Sequence, residues 1–186
     1  MKFFITKIVA KRNLEPSTIF KALNLIKNLH AGQKRKSGEP FYLHPIAVTE
    51  IVLGFSQETT MIVASLLHDV VEDSHTSLAQ VELLFGSEVA NLVDQLTKLG
   101  GGLMKLNLSA AERHHKLTNG GKQAIQIKLA DRLHNMRTIG CFGIAKQKRK
   151  AEETLKYYLP LANLVGLPHL GEELTKIVDR VGALPL

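Results

Sequence analysis

Apolar positions recur at helical spacing along most of this chain, and no alternating-polarity run is long enough to support a sheet, so the pattern predicts an all-α protein. Phe20, Leu23 and Ile26, with Ala22 and Leu29, form one face of a first long helix, which Ser17 and Thr18 can cap and which stops around Ala31-Gly32. A basic loop follows. Pro45 then stands where a second helix would begin, and Ile46, Val48, Ile51 and Val52 carry the pattern to Gly54. The apolar run from Met61 predicts a helix that reaches Asp73. Further helices are expected over 77–84 and from Ser87 to about Leu99, where "LGGG" (99–102) breaks the pattern. Residues 103–123 are the least regular; "LTNGGKQ" reads as a turn inserted between two helices, and this is expected to be the most mobile part. The helical pattern resumes from Ala124 to Ile139, and the tail predicts two more helices, roughly 145–165 and 172–181, separated by "GLPHLG". Internal repeats, low-complexity tracts and linkers are absent from the sequence.

A length of 186 residues suits a single domain of the usual ~100–200. With 45% hydrophobic and 22% charged residues the composition is that of a globular protein, and no apolar stretch approaches the ~20 residues of a membrane span. Lys7, Lys11 and Arg12 interrupt the apolar start before a signal-peptide core could form, so a cytoplasmic protein is expected. The one cysteine, Cys141, is expected to be a small buried apolar residue. A formal charge of +7 favours anionic partners, either a polyphosphate nucleotide or a nucleic acid. Only 5% aromatic residues, no Trp and no zinc-finger or RNP-type pattern count against nucleic acid. Nothing in the pattern specifies an oligomeric state.

The stretch "SLLHDVVEDS" (65–74) changes the picture, because His68, Asp69, Glu72 and Asp73 end an otherwise apolar run. At about 100° per helical residue the four share an arc on the order of 140°. A polar face meeting water explains that spacing. So does a metal site, with His68 and Asp69 as ligands and Glu72 and Asp73 one turn on, acting on a water. Two more candidates could complete such a site. His44, in "FYLHPIAV", precedes the proline of a helix start, where the positive end of the helix dipole favours a neutral imidazole; it is equally a candidate cap. Asp131 shares a polar face with Asn135 and Thr138, opposite the stripe of Ile125, Leu129, Leu133 and Met136. A solvated face accounts for that pattern as well.

The blocks "HAGQKRKSGEPFYLHPIAV" (30–48), "LLHDVVED" (66–73), "FGSEVANLVDQLTKL" (85–99), "KLADRLHNMRTI" (128–139) and "ETLKYYLPLANLVGL" (153–167) occur in the order and rough spacing of the HD superfamily of metal phosphohydrolases. More specifically, the chain resembles the RelA/SpoT-type alarmone hydrolases. The resemblance implies a single HD-domain helical bundle over 1–186, in which His44, His68, Asp69 and Asp131 hold Mn²⁺ and Glu72 and Asp73 serve hydrolysis. It implies removal of the 3′-pyrophosphate from guanosine 3′,5′-bis(diphosphate) and its pentaphosphate relative (ppGpp and pppGpp). "RKSG" resembles the nucleotide-binding loop, with Arg35 stacking on the base and Lys36 and Ser37 alongside. Asn135 and Thr138 match positions that contact sugar and base, and Lys148, in "KQKRK", is expected to meet the distal phosphates.

Two departures bear on this expectation. The chain is expected to be a small stand-alone hydrolase without the synthetase and regulatory domains of the long bifunctional members, and 103–123 matches those members poorly, which leaves base and phosphate specificity open. Adenosine analogues of the alarmone, or the 2′-phosphate of NADPH, are the alternative substrates. An inactive alarmone-binding sensor is the alternative from another class. His114 and His115 have no counterpart and are expected in an exposed loop.

Overall fold

The computed structural model of the chain describes Thr6 and residues 13–100 and 121–184; the segment 101–120, with His114 and His115, lies outside the described residues. Among them the secondary structure is helical without strands, apart from an isolated antiparallel bridge between Lys34 and Pro40. No described helix is long and apolar enough to cross a membrane.

Helix α1 spans Pro16–Leu29 and begins ahead of the expected Ser17/Thr18 cap. Proline at the first position is pre-set for helix and has no amide to leave unbonded, and the Thr18 hydroxyl donates instead to the Glu15 carboxylate. α2 covers Leu43–Val52, so His44 lies inside its first turn and Pro45 is the third helical residue, a position where an amide would find no partner in the helix anyway. The Met61–Asp73 run is not one helix: α3 (Thr59–Leu66) and the single turn α4 (Val70–Asp73) are separated at Leu67–Asp69. The Ser65 carbonyl, which a continuous helix would pair with the Asp69 amide, accepts the His68 ring at 2.8 Å instead. α5 (Leu78–Phe85) is capped by Ser77 in a reciprocal box with Gln80, and α6 spans Ser87–Gly100.

α7, Lys122–Arg137, is the central element, because it is apolar on two sides. Ala124, Ile127 and Ala130 join the core built by α1, α2, α3 and α6. Ile125, Leu129, Leu133 and Met136 join a second core with the C-terminal helices. The side opposite the predicted stripe is therefore not a solvated face, and only a narrow sector of α7 is left for Lys128, Asp131 and Asn135.

The long helix expected over 145–165 is interrupted. α8 (Ile144–Glu153) passes through a π turn at Thr154–Tyr158 into α9 (Leu159–Leu164), whose second residue is Pro160. A proline that cannot donate to the preceding turn and a wide turn just before it belong together. α10 spans Pro168–Gly182, starting earlier than expected because Pro168 occupies its first position. Cys141, expected to be buried, is exposed, since it sits in a 3₁₀ turn (Ile139–Cys141) after α7 rather than on an apolar face.

Leu129 is fully buried at the centre of the second core. Its truncation to alanine is expected to cost about 2–5 kcal/mol, read as a lower denaturant midpoint at unchanged slope.

Candidate active site

A helix start, a break between two helices and the middle of a buried helix deliver the site's side chains. His44 comes from the first turn of α2, His68 and Asp69 from the break between α3 and α4, and Asp131 from α7. A chain of buried hydroxyls keys the first two together: the Thr49 hydroxyl donates to the Pro45 carbonyl (2.7 Å) and accepts from the Ser65 hydroxyl (2.8 Å). Nε2 of His44 lies 3.1 Å from Asp131 Oδ1 and 3.5 Å from Asp69 Oδ2. Nε2 of His68 lies 2.9 Å from Asp69 Oδ2 and 3.7 Å from Asp131 Oδ1. The ligand atoms of His44, His68 and Asp69 all fall within 4.8 Å of one another.

Protonation in this cluster is governed by opposed effects. Burial disfavours a charge on His68, but the carboxylates of Asp69 and Asp131 outweigh it and lift the imidazole to about 10. Burial would likewise raise Asp69, yet His68 and His44 hold it well below the usual carboxylate range, and Asp131 is held down by the same two rings. The pocket thus calls for positive charge.

A metal cation fits this demand on a specific observation. Nδ1 of His68 donates to the Ser65 carbonyl at 2.8 Å, so once a cation displaces the second ring proton Nε2 is the lone-pair nitrogen. That Nε2 is buried and makes no hydrogen bond, despite its 2.9 Å approach to Asp69, because the orientation is not that of a donor and acceptor. Two imidazole nitrogens and two carboxylates form a donor set suited to a divalent first-row cation.

The set opens into a cavity of about 310 Å³. Glu72 forms part of its wall, with Oε1 buried and without a hydrogen-bond partner. Burial pushes the Glu72 carboxyl up to about 7, with Lys128 opposing and Asp69 and Asp73 adding to the shift. Asp73 is exposed and does not line the cavity, although partial desolvation and Asp69 raise it too. Arg35 reaches the cavity from a tight loop closed by Gly38 at φ 90°, the left-handed region that glycine favours. Its Nη2 donates to Asn135 Oδ1 at 2.7 Å, and the Asn135 amide donates to Asp131 Oδ1 at 2.7 Å.

Other expected nucleotide contacts sit elsewhere. Lys36 is exposed, with its ammonium 5.5 Å from the Phe142 ring centroid, and Ser37 donates to Glu39. The Thr138 hydroxyl turns back to the carbonyls of His134 and Asn135. Lys148 is not among the cavity's lining residues; Lys150 of the same basic run is.

Sequence reasoning also passed over Lys128, Arg132, His134 and Tyr158. Lys128 is 7% exposed and faces the cavity, and among the described residues no carboxylate lies within 4.0 Å of its ammonium. Despite burial, Asp131, Asp69 and Glu72 raise its pKa. Arg132 builds the wall: Nε donates to Thr154 (2.8 Å), Nη2 to Glu153 (2.7 Å) and to the Lys150 carbonyl (3.0 Å), and the guanidinium lies 4.4 Å from the Tyr158 ring centroid. One signal could have found Lys128 and Arg132. They fall within "IKLADRLHNM", where ionisable residues crowd a helix whose apolar positions already demand burial on two sides.

Residues 22–167 match the family model described as HD domain. The chain is 42% identical over 158 residues to the probable guanosine-3′,5′-bis(diphosphate) 3′-pyrophosphohydrolase of Synechocystis sp., covering 80% of this chain and 20% of that one. It is 41% identical over 155 residues to the bifunctional (p)ppGpp synthase/hydrolase SpoT of Escherichia coli, covering 81% and 22%. The chain thus spans about a fifth of the length of the curated relatives it matches. A solved structure described as a metazoan ortholog of SpoT that hydrolyzes ppGpp superposes with a TM-score of 0.73 at 28% identity, covering 90% of this chain and 97% of that one.

The raised Glu72 carboxyl has a sign that can be tested in the metal-free protein. Folding favours its protonated form, so this contribution to stability is complete below about 4.5 and is lost as pH rises through about 7. Glu72→Gln removes the titration. The variant's melting temperature relative to wild type is expected to rise between pH 5 and pH 8, measured by thermal unfolding in chelator.

Proposed function

The chain belongs to the HD domain family, and on that premise we propose that it is a metal-dependent hydrolase that removes the 3′-pyrophosphate of ppGpp and pppGpp, releasing pyrophosphate and GDP or GTP. One observation carries this reading: Oε1 of Glu72, buried and without a hydrogen-bond partner, borders the cavity that His44, Asp69, Asp131 and Lys128 also line, and the equally bond-free Nε2 of His68 lies 2.9 Å from Asp69 Oδ2. The relatives named for that reaction support the choice of substrate. The 186 residues act in this reading as a single HD-type catalytic unit, working in the cytoplasm.

The four ligands would be His44, His68, Asp69 and Asp131, and the cation we propose is Mn²⁺, which accepts mixed imidazole and carboxylate donors. Such a cation, when bound, supplies Lewis-acid chemistry at the phosphoryl group. The remaining work belongs to the chain. Glu72 has a free oxygen on the cavity wall, and it orients the attacking water and takes its proton. Its raised pKa suits a base that must accept and release a proton near neutrality. The water oxygen bonds to phosphorus, the bond between phosphorus and the ribose 3′ oxygen breaks, and that oxygen regains a proton as pyrophosphate leaves. Asp73, one residue along but turned to solvent, would act through its charge on Glu72.

Lys128 and Lys150 bring positive charge to the cavity wall, where two diphosphates would need it. Arg35 offers a guanidinium face for the base, and Phe41 and Tyr158 give the cavity its aromatic surface. Lys36, Ser37, Thr138 and Lys148 are proposed as contacts made only once the nucleotide is bound.

The direct test is pyrophosphate release from ppGpp by the purified protein, with Mn²⁺ and with chelator, beside the adenosine analogue and NADPH. Mn²⁺-dependent release from ppGpp is expected; turnover of another nucleotide alone would overturn the substrate, and silence on all three would favour a binding-only sensor. Glu72→Gln should lower kcat about 10²–10⁴-fold while nucleotide binding persists, and wild-type turnover would remove Glu72 from this role. Lys150→Ala should raise KM more than Lys148→Ala does, a comparison made by steady-state kinetics on both variants.

A further inference from the structure

His134 belongs to neither the ligand set nor the cavity wall, yet it touches both a proposed ligand and the proposed base-binding arginine. Its Nδ1 lies 2.8 Å from Nδ1 of His44 and 3.2 Å from Nη1 of Arg35. The two rings are tilted by 37° with centroids 4.9 Å apart.

The proton positions follow from what each group is able to offer. A guanidinium only donates, so Nδ1 of His134 has to be the accepting, lone-pair nitrogen. Two imidazole nitrogens at 2.8 Å cannot both be bare without repulsion, so the proton between them sits on Nδ1 of His44. In neutral His44 this leaves the lone pair on Nε2, the atom that faces Asp131 and Asp69.

Arg35 fixes a second ligand by the same logic. It donates to Oδ1 of Asn135, which turns the amide nitrogen of Asn135 toward Asp131. From one guanidinium, two short chains of hydrogen bonds therefore lead to the ligands that α2 and α7 contribute. His68 has its own support in the Ser65 carbonyl.

We propose that His134 is a positioning residue of the metal centre: as an acceptor pinned by Arg35, it sets the tautomer in which His44 presents Nε2 to a divalent cation. The inference rests on the metal-centre reading given above. It assigns to His134 no contact with cation or substrate.

Calorimetric titration of metal-free protein with Mn²⁺, in the absence of nucleotide, reads this role without any turnover. Two similarly shaped replacements separate the acceptor from mere bulk. In His134→Asn an amide oxygen can stand where Nδ1 stands, whereas His134→Leu has no acceptor. The leucine variant is expected to bind Mn²⁺ about 10–100-fold more weakly than wild type, and the asparagine variant within about threefold of it. Equal affinity in wild type and leucine variant would overturn the inference and leave the metal centre standing. Equal weakening in both variants, with helical content intact, would also overturn it, since the acceptor would not be what matters. Wild-type protein that binds no Mn²⁺ would instead bring down the metal-centre reading itself.

Discussion

Asp69 and Asp131 stay ionised although largely buried, with two imidazoles packed against them, and no arrangement of neutral side chains could compensate that concentration of negative charge. Positive charge has to be supplied locally, as protons on the rings or as a cation among them. Much else in the molecule serves this requirement. The helix that begins at Thr59 stops at Leu66 so that the His68 ring can take a backbone carbonyl. α7 runs between two apolar cores so that the one sector left free of them carries Asp131 inward. The Pro45–Thr49–Ser65 hydroxyl chain holds the two histidine-bearing elements in register.

Charge of the opposite sign lines the same cavity. Arg132 is neutralised and fully engaged by Glu153, Thr154 and the Lys150 carbonyl, so it contributes shape rather than attraction. Its partners depend on the π turn at Thr154–Tyr158, whose extra residue per turn brings the Thr154 hydroxyl and the Tyr158 ring to the same guanidinium. Lys128 is then the cavity cation with charge to spare, while Lys150 lies 4.0 Å from the Glu153 carboxylate that Arg132 already holds. An anionic ligand with two phosphate groups would find attraction there and a cation at the other end.

Helical periodicity read the fold class and most element positions correctly, because packing an apolar stripe leaves a period-3.6 trace that needs no tertiary information. It went wrong where a proline or a tertiary hydrogen bond moves a boundary. Pro16 starts its helix sooner than the Ser17/Thr18 cap suggested and Pro168 sooner than the expected 172, Pro160 accompanies the π turn, and His68 splits a run whose apolar pattern is unbroken. At Asp131 the pattern was ambiguous for a physical reason: a helix buried on both sides and a helix half in water both show polar residues in one sector. The residue pattern made His44, His68, Asp69, Asp131 and Glu72 candidates without choosing between a site and a solvated or capping role, the ordered motif blocks suggested their roles, and the structure brings the five side chains together. Lys128 and His134 left no periodic trace, since both act through geometry set by other segments.

The linkage through Arg35 has a consequence for how such a site responds to its ligand. A guanidinium that anchors His134 and Asn135, and that in the proposed role would also meet a base, cannot change its position without altering what orients His44 and Asp131. Occupancy of the cavity and order in the ligand set are then coupled, and by thermodynamic linkage the coupling is mutual. The loop that carries Arg35 is short and closed on itself by the Arg35–Glu39 and Gly38–Arg35 backbone bonds, so movement at the base end is passed on rather than absorbed. A hydrolase built this way would assemble its reactive geometry most fully when the nucleotide is in place.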